Sequence, residues 1–123
     1  TEGTSRLSAI SKATQNTERG QKVKYPEIFR EAQQIIVDRE ESYGDARQMH
    51  ESIADRWNSV LKGKLTAGAA LSAYDVARMM AELKAARLDD NGFHKDSMID
   101  MINYLVIAYR LAHEDAREFG RDD

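Results

Sequence analysis

Between Met98 and Tyr109 the chain reads MIDMINYLVIAY, and only Asp100 and Asn103 in that run are strongly polar. A helix that is apolar nearly all round has to be buried on every side. The run therefore predicts a central helix with the other elements packed about it. So few short helices hardly enclose it, and the expectation is a homodimer whose second copy completes the core.

The remaining elements follow from start and stop signals. Tyr25-Pro26 opens a first helix, because proline is pre-organised for a first helical turn. Ile28, Phe29, Ala32, Ile35 and Ile36 recur at helical spacing, and Gly44 closes it. Asp45 is a good N-cap for a second helix with the stripe Ala46, Met49, Ile53, Ala54, Trp57, Val60 and Leu61, broken at Lys62-Gly63-Lys64. Ser72 with Asp75 resembles a capping box. The third helix then presents Val76, Met79, Met80, Leu83 and Ala86. Asp89-Asp90-Asn91-Gly92 signals a turn. The fourth helix runs from about Asp96, a natural N-cap, to about Phe119. The fold class is all-α: a four-helix, bundle-like domain over residues 25–119. Residues 1–24 read as a flexible basic arm and residues 120–123 as a frayed tail.

Charge is divided unevenly. Residues 1–24 hold five basic side chains against two acidic ones, a balance of +3, so with −3 for the whole chain the remainder carries −6. An acidic body argues against a duplex-DNA binder, whose affinity comes largely from phosphate contacts. It leaves open small nucleotides held through a metal ion. No apolar run approaches the ~20 residues of a membrane span. The chain has no cysteine, which excludes a Cys nucleophile, a Cys-based zinc site and a disulfide scaffold, and suits a cytoplasmic setting. Glycine-rich phosphate loops, GxSxG and HExxH are absent too.

Candidate chemistry centres on Asp100. A buried carboxylate is costly unless it is paired with a cation or binds a metal. Asp96, Asp100 and Asn103 share one face of the fourth helix. On the third helix, Asp75 and Glu82 flank one edge of the apolar stripe, Lys84 and Arg87 the other. One border could then face a metal ion and the other a phosphate, or both could be a solvated rim. Arg39 stands inside the stripe of the first helix and wants a carboxylate or phosphate. Asp100 and Glu82 are its candidate partners. Glu40 and Glu41 follow directly. His50 lies in the stripe of the second helix, where a hydrogen-bonded core role is the commoner one. Tyr43 and Trp57 could stack on a base or simply fill core.

Three segments carry a resemblance: DREESYGDARQMHESIADRW (38–57), DVARMMAELKAARL (75–88) and DSMIDMINYLVIA (96–108). They resemble small phage and prophage proteins of the nucleotide-modification-associated kind. Their helical layout is similar to the MazG-like all-α nucleoside triphosphate pyrophosphohydrolases. That resemblance implies Mg²⁺-dependent cleavage of a nucleotide to monophosphate and pyrophosphate. MazG-like enzymes carry EExxE on one helix and ExxD on another. Here Glu40-Glu41 is followed by Ser42-Tyr43-Gly44 without a third Glu, and the ExxD position reads Ser97-x-x-Asp100 with Asp96 displaced by one residue. Asp100 alone transfers cleanly.

Three functions result. In a pyrophosphohydrolase, Glu41, Glu82 and Asp100 act as the catalytic acids and, with Glu40 or Asp96, hold Mg²⁺. Lys84, Arg87 and Arg39 take phosphates, and Tyr43, Trp57 or Asn103 meets the base. In a nucleotide sponge the ligand binds but is not cut, which the incomplete acidic motif favours. In an interaction module, the basic arm docks on an acidic partner and Asp100 is a structural pair for Arg39.

Overall fold

Four helices form close to the start signals in the sequence, and no strand occurs among the residues described, 20–118 of a computed structural model. They are α1 (Tyr25–Tyr43), α2 (Ala46–Leu61), α3 (Ala73–Asn91) and α4 (Lys95–Glu118). Pro26 lies in the first turn of α1. Gly44 ends it at φ 82°, where its N–H reaches the Glu40 carbonyl at 2.8 Å. That left-handed conformation is where a glycine escapes the Cβ penalty. The Asp45 carboxylate accepts the Arg47 backbone N–H at 3.0 Å and starts α2. The capping box of α3 is complete: the Asp75 N–H donates to Ser72 Oγ at 3.1 Å, and the Ser72 N–H to Asp75 Oδ2 at 2.9 Å.

Two boundaries differ from the expectation. Asp89, Asp90 and Asn91 are helical, and the chain turns only at Gly92, whose φ is 74°. Half-buried Leu88 anchors that last turn against the preference of acidic residues for helix starts. At the other end of the turn, Asp96 stands inside the first turn of α4 instead of capping it. His94 Nδ1 takes the Ser97 backbone N–H at 3.2 Å.

The core sits between α3 and α4, the most extensively packed pair. Ala73 and Ala77 of α3 meet Ala108 and Leu111 of α4, with Tyr74 and Ile107 beside them. Val76 and Ala81 are buried as well. Alanines let the two backbones approach closely, which the expected stripe missed by weighting large side chains. Met79 and Leu83 are each 41% exposed, and Ala86 is exposed too. The buried face is centred near Ala77 and Lys84, roughly 90° round the axis from the expected stripe at 100° per residue. Phe29 of α1 and Val60 of α2, both placed in stripes, are likewise exposed.

α2 lies against α3, and α1 against α4, while α1 and α2 barely touch. This leaves an open groove between α1 and α2, floored by α3 and α4. α4 is not enclosed as its composition implies. Ile99, Asp100, Asn103, Ala108 and Leu111 are buried, but Met98, Leu105, Val106 and Tyr109 are exposed. Among the described residues, no helix is long and apolar enough to cross a membrane. The basic arm up to residue 19 and the tail at 120–123 lie outside the described residues.

Candidate functional site

The rotation of α3 decides what reaches the groove. It brings Lys84 to the centre of the buried face and turns Glu82 to solvent. Lys84 Nζ lies 2.9 Å from Asp100 Oδ2, and Arg39 Nη2 lies 3.0 Å from Asp100 Oδ1. Each carboxylate oxygen is thus matched to its own cation. The Asp100 and Lys84 side chains are 10% and 14% exposed, against 46% for Arg39. The triad joins three helices at the groove floor and carries one net positive charge. Arg39 meets Asp100 through Nη2 and is nearly half exposed, so its guanidinium has further N–H donors that this contact does not use.

Asn103, one turn along α4, is buried and donates from Nδ2 to the Ala32 carbonyl at 3.0 Å. Its amide pins α1 to α4. His50 of α2 faces the same groove. Its Nδ1 is 2.8 Å from the Ala46 carbonyl, so that nitrogen carries the proton, and Nε2 is buried without a hydrogen-bond partner. The ring stands edge-on to Tyr104, with centroids 6.1 Å apart.

The groove encloses about 570 Å³. Small-molecule sites span roughly 300–1,000 Å³. Ile36, Met49, Ile53, Met80, Ile107 and Leu111 make its walls mostly apolar. A second charged cluster lines the groove farther along α4. Arg47 meets Glu114 and Asp115, each at 3.0 Å, and Arg110 Nε meets Glu114 at 3.2 Å. Hydrogen bonds from Arg47 and then Arg110 hold the Glu114 carboxyl below the usual carboxylate value. Desolvation works against the Arg47 charge, but its bonds to Glu114 and Asp115 outweigh that and raise its pKa. The cationic excess is therefore confined to the end of the groove that holds Lys84 and Arg39.

Of the residues singled out from the sequence, Arg39, Glu40, Tyr43, Lys84, Asp100 and Asn103 line the groove. Glu41, Glu82, Arg87, Asp96 and Trp57 do not. Arg39 has Asp100 as its partner; Glu82, the other acid considered, points away on the far side of α3. Among the described residues, no three His, Asp or Glu side chains gather as a metal-ion site. Glu82 follows the rotated face of α3 outward, Glu41 and Asp96 lie outside the groove, and each Asp100 oxygen lies against a cation, so Glu40, Glu41, Glu82, Asp96 and Asp100 are not brought together. Tyr104, Arg47, Arg110 and Glu114 escaped the sequence reading. Arg110 and Glu114 are an i,i+4 pair within α4, but the contacts of Arg47 with Glu114 and Asp115 span nearly seventy residues and that of Tyr104 with His50 joins two helices, so no local pattern signals them.

Residues 27–112 match the model of a domain family described as a domain of unknown function, DUF6378. The chain belongs to the DUF6378 family. The match covers all four helices apart from the first two residues of α1 and the last turns of α4. Among similar proteins, the Gene 55 protein of Mycobacterium phage L5 is 40% identical over 85 residues, covering 68% of this chain and 51% of the relative. The Gene 55 protein of Mycobacterium phage D29 is 33% identical over 88 residues, covering 71% and 54%. The chain spans about half the length of these curated relatives. They place this DUF6378 member among phage proteins, as the resemblance implied. No solved structure matches the chain.

Proposed function

We propose that this domain binds a small phosphorylated ligand, a nucleotide, in the groove between α1 and α2, and does so without a metal ion. The observation that carries the reading is the Arg39–Asp100–Lys84 triad at the groove floor. Two cations share one carboxylate there, beneath apolar walls of ligand-sized dimensions. A phosphate arriving beside the triad meets a net positive charge and charge-assisted donors from Arg39. The apolar walls, with Tyr43 at the rim and Tyr104 inside, suit a base.

The pyrophosphohydrolase reading requires carboxylates grouped to hold Mg²⁺, and the groove supplies in their place a single Asp100 with a cation against each oxygen. That favours binding over cleavage. The test is a thermal-shift and calorimetric screen of nucleotides, with Mg²⁺ and with EDTA, on the wild-type chain and on Arg39→Ala. Ligand bound to the native state raises Tm by mass action. The expected result is a shift insensitive to EDTA and weakened by at least about tenfold in Arg39→Ala, the equivalent of one charge-assisted hydrogen bond. Release of pyrophosphate would overturn the non-catalytic half of the proposal. Absence of a shift with every nucleotide would overturn it entirely and leave the interaction module.

A further inference from the structure

The face of α4 turned away from the core has its own periodicity. Met98, Ile102, Leu105, Tyr109 and Ala112 are spaced by four, three, four and three residues. At 100° per residue they fall within about 40° of one line along the helix. None is charged. Met98 is 44% exposed, Leu105 47% and Tyr109 73%, while Ala112 is exposed and Ile102 half-buried. This is an a/d seam of the kind that receives another helix, and a flat or irregular partner would not match a 3.5-residue repeat.

We infer that the occupant is a second copy of this chain, with the two α4 helices packed antiparallel about a two-fold axis near Leu105. The sizes along the seam are complementary under that operation. Long Met98 falls opposite small Ala112, Ile102 opposite Tyr109, and Leu105 opposite itself. A parallel pair would stack Met98 on Met98 and leave Ala112 facing Ala112, a bulge at one end and a gap at the other. Antiparallel axes also set the helix dipoles in opposition. A two-fold contact needs one patch that fits itself, and this seam is such a patch. It is about 22 Å long. A strip of that length and one helix, about 10 Å, wide is well under the roughly 800 Å² per partner of a stable complex, so the dimer is a weak one, populated only at high concentration. The inference uses the face of α4 opposite the groove and stands independently of the ligand reading.

The chain has no cysteine, so single cysteines report the geometry directly. Sedimentation of the full chain should show a mass that rises from one chain to two with concentration. Leu105→Glu should keep it at one chain while helicity by circular dichroism is unchanged. Under mild oxidation, Leu105→Cys should cross-link to itself, Met98→Cys should not, and a mixture of Met98→Cys with Ala112→Cys should give the mixed dimer. A chain still monomeric at about 1 mM, the weak end of specific association, would overturn the inference. So would a dimer that survives Leu105→Glu, or self-linking of Met98→Cys in preference to Leu105→Cys.

Discussion

Asp100 is held by two cations of unequal burial, and the two partners should respond differently to mutation. Removing the acid strands Lys84, whose side chain is 14% exposed. Breaking a buried pair by deleting one partner costs about 3–5 kcal/mol, so urea melts of Asp100→Ala should show a loss of that size. Arg39 is nearly half exposed. Its deletion should cost no more than ~1 kcal/mol of stability, with the main effect on ligand affinity. Equal destabilisation by both variants would contradict the asymmetric burial. The second charged cluster sets a pH dependence. The folded pKa of Glu114 lies below its ordinary value because Arg47 and Arg110 bond to the charged form. Its contribution is therefore complete above the ordinary glutamate value and is lost as pH falls through the lower folded one. Glu114→Gln should be less stable than wild type at neutral pH and converge with it in acid, as followed by urea melts across that range.

At the level of elements, the helices are held unevenly. α3 and α4 share the alanine-rich core, whereas α1 rests on α4 with Ala32 as its one buried side chain. Asn103 supplies the buried hydrogen bond between these two helices. Asn103→Ala should cost about 1–2 kcal/mol and speed amide exchange across residues 25–43, with α3 and α4 still protected. Uniform loss of protection would show instead that α1 is not a separable unit. The close approach of α3 to α4 gives the opposite kind of test. Ala77, fully buried, has no room for a longer side chain, so Ala77→Leu should destabilise by about 1–3 kcal/mol through overpacking. The α3 stripe built on Met79 and Leu83 does not foresee this, since it makes Ala77 a flank position. Large side chains dominate a hydrophobic pattern, but the smallest ones decide where two helices come nearest.

In the molecule as a whole, α1 and α2 form the two walls of the groove and hardly contact each other. A ligand bridging them should protect amides in both helices together in hydrogen exchange. Protection of α1 alone would place the ligand elsewhere. Helix number, helix order and nearly every boundary were legible in the sequence, because caps, Pro26, Gly44 and Gly92 act on the backbone within a few residues. The importance of Asp100 was legible too, since a lone acid in MIDMINYLVIAY needs a partner in any packing. Arg39 could be named as a candidate for the same reason. The choice between a cation pair and a metal site was not legible. It depended on the rotation of α3, which buried Lys84 and exposed Glu82, and on which helices became neighbours. The Arg47–Glu114 cluster belongs with that second group. Local chemistry is written in spacing along one helix, but convergence requires the axes and rotations of several, and only the packed tertiary structure sets those.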